Sequence, residues 1–450
     1  MNINNDEQEL KKVQSIDLSK KIISNIDTDT FKDLSQLEFL SLSLYLDSHC
    51  FPTKIFSFLT NLTYLSLNLL KTTSIHSKAF ASLTKLETFE LKSDNISSIE
   101  SNVFKYLTNL NRLNLDCKEL NSIDANAFTP LVNLKDLNVL SVKLNYLNSS
   151  VFSSQTNLKI LWLNTPLISI DPNTFKSLIN IEELGIDSDK KLTLIESKTF
   201  SNLRKLKRLY LPSNKLNSFH SNIFSSSLAQ LKVLNLYNNN ISFLDSNVFS
   251  SSLTQLENLD LQQNQLTSIY LSNLLRLQIL NLQGNKLNSF NLTNLTSLIE
   301  LNLQINKLGS IGSNDFSTLI KLQRLYLSLN LITTIHSNAF SALTQLKELS
   351  LSGNRLTFIQ EKTFASLANL KKLYIRDNFL KHIDSKTFSS LKNLVMLSLQ
   401  NNKLETIHPD TFSNIDNVEQ MNIYLGENHL NETGIICDGT KNQKCNFEMK

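Results

Sequence analysis

Apolar residues recur along this chain with a long, regular period. Leu, Ile or Val opens a self-similar unit at 13, 37, 62, 86, 110, 134, 158, 181, 206, 231, 256, 277, 298, 322, 346, 370, 394 and 418, mostly 24 residues apart. A repeat of this length marks a solenoid of stacked coils. The unit from Leu322, LQRLYLSLNLITTIHSNAFSALTQ, and the next from Leu346, LKELSLSGNRLTFIQEKTFASLAN, are both apolar at positions 1, 4, 6, 11, 14, 19 and 22, with Asn at position 9. Positions 4 and 6 alternate as in a strand and point inward, whereas positions 2, 3, 5 and 7 face solvent. One coil cannot bury its own apolar side, so neighbours stack and their strands run parallel. At about 4.8 Å per strand, eighteen coils predict a sheet on the order of 86 Å long.

The array changes character partway. From Leu206 onward position 9 is Asn at 214, 239, 264, 285, 306, 330, 354, 378 and 402, but in earlier units it is Lys21, Tyr45, Leu70, Asp94, Lys118, Val142, Pro166 and Asp189. The predicted organisation is a polar tail or rudimentary cap over 1–12, repeats lacking the Asn ladder over 13–205, repeats bearing it over 206–417, and a final repeat with a C-terminal cap over 418–450. Turn groups without Asn partners are expected to turn to water or irregular partners, which leaves the first half less protected. The units from Leu256 and Leu277 have only 21 residues, and Leu271 and Leu292 replace the Phe found in the other intervals.

The pattern L-x-x-L-x-L-x-x-N-x-L-x-x-I-x-x-x-x-F-x-x-L resembles the typical 24-residue leucine-rich repeat of animal extracellular proteins, such as Toll-like receptor ectodomains and chaoptin-like adhesion proteins. The resemblance implies an α/β-type repeat: a right-handed leucine-rich repeat solenoid (a horseshoe) with a parallel concave sheet and a convex side that is irregular or short-helical. It implies a non-enzymatic module that binds a protein or glycan through its concave face, extracellular or at the cell surface. The family's Cys-rich caps and leader are not matched: residues 1–12 hold no Cys, and the tail offers only Cys437 and Cys445. An intracellular, cytoplasmic scaffold or inhibitor that wraps a protein partner is therefore the second reading.

Composition narrows the chemistry. With 8 Gly and 6 Pro in 450 residues, Gly-rich phosphate loops are excluded. No nucleotide-binding, Walker, H-E-x-x-H or G-x-S-x-G motif occurs, so neither an enzyme nor a cofactor is expected. The net charge of +4 is spread without a block of like charges, which argues against nucleic acid, and no apolar run is long enough for a membrane span. His76, His220, His336 and His408 share position 15 but sit coils apart, too far to meet at one metal ion. Cys50 and Cys117 belong to units three apart, about 14 Å, and cannot pair. Cys437 and Cys445 either close a small loop as a disulfide or stay as thiols.

Binding is expected where outward strand positions align. Position 5 carries Trp162, Tyr210, Tyr326 and Tyr374, and position 7 carries Tyr237. Such aromatics are binding anchors or a product of strand preference. Lys207, Arg208 and Lys232 are expected to form a basic rim around Trp162, Tyr210 and Tyr237, suited to an acidic protein loop or a sulfated glycan. A polar, weakly acidic stretch that includes Glu257, Asp260 and Glu300 follows.

Overall fold

The structure is a computed structural model that describes residues 10–46, 49–220, 223–224, 226–245, 248–249, 253–271, 274–412, 415, 421–430 and 447–448; of Ser226, Pro409, Phe447 and Glu448 it describes the backbone alone. The fold is a solenoid of parallel strands, and helix among the described residues is confined to Leu10 and to short 3-10 pieces such as Ser77–Phe80. The chain divides into two compact units, Met1–Leu231 and Lys232–Lys450. The change of repeat type near residue 206 thus falls inside the first unit. Neither unit shows the horseshoe curvature expected from the resemblance. A solenoid bends when its back layer is wider than its strand layer, and here the back layer is single turns.

In the first unit, the strands Ser15–Ile23, Phe39–Leu44, Tyr64–Leu69, Thr88–Ser93, Arg112–Cys117, Asp136–Leu140, Ile160–Asn164, Glu183–Asp187 and Arg208–Tyr210 pair in parallel, each with the next. Their register stacks position 4 on position 4, as in Leu113, Leu137, Leu161 and Leu184, all fully buried. Behind them Phe104, Phe128, Phe152 and Phe175 form a column with ring centroids 6.1–6.3 Å apart. In the second unit the strands from Val233–Asn235 to Asn422–Tyr424 repeat this arrangement, with Phe316, Phe340, Phe364, Phe388 and Phe412 stacked behind.

The two repeat types differ in one dihedral choice. In the coils from Leu37 up to Leu206 the strand runs on to position 7 or beyond, and the side chain at position 8 points inward like those at 4 and 6. Ser93, Cys117, Ser141, Thr165 and Ser188 form that column and are all buried. The serines cap the turn from inside: Ser141 Oγ accepts from the N–H of Lys143 (2.9 Å) and Leu144 (3.1 Å), and Ser188 Oγ accepts from Leu192 N–H at 2.9 Å. Backbone pairs take the remaining groups, with Leu70 N–H donating to Leu44 O at 3.0 Å and Val142 N–H to Lys118 O at 3.0 Å. The expectation that these turns rely on water or irregular partners is therefore corrected: a longer strand ladder replaces the Asn ladder.

In the second unit, the strands of the same face from Val233–Asn235 to Asn422–Tyr424 are three residues long and the chain flips at position 8 into the left-handed region. Asn238, Gln263, Gly284, Ile305, Leu329, Gly353, Asp377 and Asn401 all have φ between 50° and 68°. The flip turns position 8 outward and position 9 inward. Asn264, for example, is buried, donates to Leu236 O (2.9 Å) and Leu261 O (3.1 Å), and accepts from Ile241 N–H at 3.0 Å. Asn, Gly and Asp tolerate this conformation, whereas Ile and Leu adopt it at a cost of roughly 1–2 kcal/mol.

One register is corrected. Ile423 pairs with Leu397 at position 4, so the last coil begins at 420 rather than 418. Asn428 then occupies position 9 and continues the ladder, donating to Leu399 O at 2.9 Å and accepting from Leu404 N–H at 3.1 Å. A second Asn ladder, not anticipated, runs along the last position of the coil: Asn109, Asn133, Asn157, Asn180, Asn369 and Asn393 each donate to a carbonyl of the preceding coil at 2.8–3.0 Å.

Candidate functional site

Three neighbouring strands of the first unit build the most organised feature of the strand face. Trp162 pairs in register with Gly185, and Gly185 with Tyr210. The two aromatics therefore lie one strand apart on either side of a residue with no side chain. Trp162 occupies that gap: a Cβ on Gly185 would stand 2.2 Å from Trp162 Cε3. Lying across Gly185, the indole stacks on Tyr210 with centroids 5.1 Å apart and planes inclined by 26°. Both rings are half-buried rather than projecting freely into solvent.

Glu183 holds the pair in place. Its Oε1 accepts from Trp162 Nε1 at 2.9 Å and its Oε2 from Arg208 Nε at 2.6 Å. Burial pushes the Tyr210 phenol above its ordinary pKa, and the Glu183 charge adds to the shift. Lys207 donates to Glu182 at 2.8 Å and holds that carboxyl below the usual range. The expected basic rim is thus ion-paired in the first unit, and in the second Lys232 bonds Glu257 at 2.9 Å. A groove of about 440 Å³, which none of the stack residues lines, is formed by Asn111, Asn133, Lys135, Asn157, Lys159, Asn180, Glu182 and Lys205.

Tyr237 belongs to the second unit, half-buried, with its N–H bonded to Asn235 Oδ1 at 2.8 Å. Tyr326 and Tyr374 reproduce the first unit's spacing, with Ser350 in register between them. Arg324 there bonds Glu300 through Nε at 2.7 Å, as Arg208 bonds Glu183. The acidic stretch is partly an amide chain, Asn281 donating to Gln262 at 2.8 Å and Asn302 to Gln283 at 3.0 Å. Burial pushes the Asp260 carboxyl above its ordinary pKa, against the lowering effect of the Gln262 N–H.

Residue-by-residue reading of aromatics missed Gly185 and Glu183. The signal for Gly185 was present: Gly inside a strand marks a close approach of another group, and this chain holds only 8. His76, His336 and His408 each accept at Nδ1 from a backbone N–H two residues ahead, at 3.1–3.2 Å, so they cap turns. Cys117 is buried in the inward column, and its thiol is pushed up to about 12, chiefly by burial and then by Asp116 and Asp94. Cys437 and Cys445 lie outside the described residues. Among the described residues no helix is long and apolar enough to cross a membrane.

Comparison with known proteins divides the chain where the turn geometry does. The family described as BspA type leucine rich repeat region matches residues 3–135 and 73–191, and the family described as leucine rich repeat matches segments from 204 to 430. No curated protein matches by sequence. Among solved structures the chain is similar to the Toll–Spatzle complex of Drosophila, at 20% identity and TM-score 0.76, covering 96% of this chain and 63% of that one. It is also similar to the Leptospira interrogans LRR protein LIC12759, at 24% identity and TM-score 0.64, covering 96% and 95%. The plant peptide hormone receptor RGFR1 in complex with RGF2 shows 23% identity and TM-score 0.63, covering 93% and 68%. With repeat families matched over residues 3–191 and most of 204–430, and one strand register repeated coil after coil, the chain is a leucine-rich repeat protein.

Proposed function

We propose that this chain is a non-enzymatic recognition module whose first unit holds a protein or glycan ligand on its strand face, with the Trp162–Tyr210 stack as anchor. The observation that carries the reading is the Gly185 gap. An aromatic pair seated across a bare backbone position, with its indole N–H fixed by Glu183, is ordered before any ligand arrives, and ordering before binding lowers the entropic cost of association. Strand preference alone accounts for aromatics at position 5 but not for the empty position between them. The solved structures of Toll with Spatzle and of RGFR1 with RGF2 support protein recognition by this fold, and on the same ground we place the chain in the typical 24-residue subfamily, receptor-like or secreted.

The test uses a glycan array and a displayed peptide library as probes for the full chain. Ligands that bind it are titrated against the Trp162→Ala/Tyr210→Ala double variant, with circular dichroism to confirm the fold. Truncating buried aromatic anchors costs at least about 2 kcal/mol, so affinity should fall roughly 30-fold. If every selected ligand binds the double variant as well as wild type, the anchor assignment is wrong.

A further inference from the structure

The left-handed flip at position 8 puts two residues of the second unit where neither conformation nor solvent favours them. Ile305 (φ 54°) and Leu329 (φ 56°) occupy adjacent coils in a conformation suited to Asn or Gly, and they are 42% and 56% exposed. Elsewhere in the row the chain uses Asn238, Gln263, Gly284, Gly353, Asp377, Asn401 and Glu427. Two residues on, past the buried Asn, position 10 forms a parallel row tied coil to coil: Leu331 N–H donates to Leu308 O (3.0 Å), Arg355 N–H to Ile332 O (2.9 Å), Phe379 N–H to Leu356 O (2.9 Å) and Lys403 N–H to Leu380 O (2.9 Å). Reading along it gives Lys307, Leu331, Arg355, Phe379 and Lys403, every one exposed.

The alternation of cation and apolar group is not consumed internally. Among the described residues, the strand-face cations Lys207, Arg208, Lys232 and Arg324 each carry a glutamate partner, whereas Lys307, Arg355 and Lys403 form no ion pair. Lys403 instead lies over the Phe379 ring, 5.1 Å from its centroid. Leu329 leans toward the next coil, so that a Cβ on Gly353 would stand 2.6 Å from Leu329 Cδ2. The result is an edge on which the exposed Ile305, Leu329, Leu331 and Phe379 alternate with cations that form no ion pair among the described residues, while Asp377, in the position 8 row, is taken by Arg376 at 3.3 Å.

We propose that this edge of the second unit is a docking surface for a protein segment that carries acidic and apolar side chains together. The cations ask for carboxylates, since a charge partly desolvated by contact needs a partner. The aliphatic residues ask for apolar side chains, which a polyanion such as RNA or a sulfated glycan lacks. Arg355, between Leu331 and Phe379 in the row, is the position at which one acid flanked by apolar residues satisfies both demands.

The test selects a displayed library of 12-residue peptides on the full chain bearing Trp162→Ala and Tyr210→Ala, so that failure of the strand-face reading does not touch the result. Enriched peptides should combine Asp or Glu with Leu, Ile or Phe and bind the wild-type chain equally well. Ile305→Asn/Leu329→Asn should weaken them at least tenfold while the melting temperature holds or rises, because Asn suits the left-handed conformation. Arg355→Gln should weaken them and flatten the dependence on salt. The proposal is overturned if no acidic–apolar peptides are enriched, if the double Asn variant binds them unchanged, or if that variant melts several degrees lower, which would make the apolar pair structural. Tighter binding of a heparin oligosaccharide or single-stranded RNA than of any selected peptide, insensitive to Ile305→Asn/Leu329→Asn, would also overturn it and assign the surface to polyanions.

Discussion

Replacing Gly185 by Ala tests the strand-face geometry with one added methyl group. The new Cβ would stand 2.2, 2.4 and 2.5 Å from Trp162 Cε3, Cζ3 and Cδ2, contacts that real structures do not sustain. Gly185 is buried and paired on both sides, so the backbone cannot yield, and the half-buried indole must swing out. It then loses the stack on Tyr210, worth about 0.5–1.5 kcal/mol, and the bond to Glu183, worth about 1 kcal/mol at a partly solvated site. Ala gains back about 0.4–1 kcal/mol over Gly by restricting the unfolded chain. The net loss is about 1 kcal/mol, a fall in melting temperature of roughly 2–4 °C. Trp162 is the only Trp, so its emission reports the site without interference. The expected result is a red-shifted maximum, easier quenching by acrylamide and a modest drop in melting temperature. Gly309→Ala, whose Cβ meets nothing within 4 Å, should change neither emission nor ring packing. If Gly185→Ala leaves Trp162 emission and quenching as in wild type, the indole does not lie across Gly185 and the preorganised anchor is refuted.

Further outcomes follow from the two kinds of turn. Asn330→Ala strips partners from Leu308 N–H and Leu303 O and should cost about 1–3 kcal/mol in chemical unfolding, whereas Val142→Ala at the same position of a first-unit coil should stay within about 0.5 kcal/mol, because Val142 is 61% exposed. Equal effects would mean the ladder residue carries no special bonds. Cys117, with its thiol pushed up to about 12, should resist alkylation in the native chain at pH 8 and react only after unfolding; rapid native labelling would contradict its inward position. Burial, then Glu90, raises the Tyr64 phenol to about 12, so the unfolded chain ionises first. The stability Tyr64 contributes is full below about pH 10 and is lost as pH rises through about 12. Tyr64→Phe should reduce that alkaline loss in pH-dependent melts, and an unchanged profile would remove Tyr64 as its source.

The period of Leu322, Leu346 and their counterparts determined the solenoid, the parallel register and the buried Phe column. Those features depend only on which residues recur at equal spacing, and a stack of like coils superposes like positions. The onset of Asn at position 9 from Leu206 was also legible, because it is a pattern in one dimension. What replaces Asn before that boundary was overlooked one residue earlier, in the column Ser93, Cys117, Ser141, Thr165 and Ser188, since inward or outward facing at position 8 rests on a backbone flip rather than on residue type alone. The tertiary structure alone decided which outward side chains meet. Trp162 reaches Tyr210 because Gly185 lies between them, and Arg208 is neutralised because Glu183 stands one coil away, while Arg355 forms no ion pair among the described residues. Such contacts join residues more than 20 positions apart, and a repeat pattern states which face a residue occupies but not which neighbour its side chain finds there.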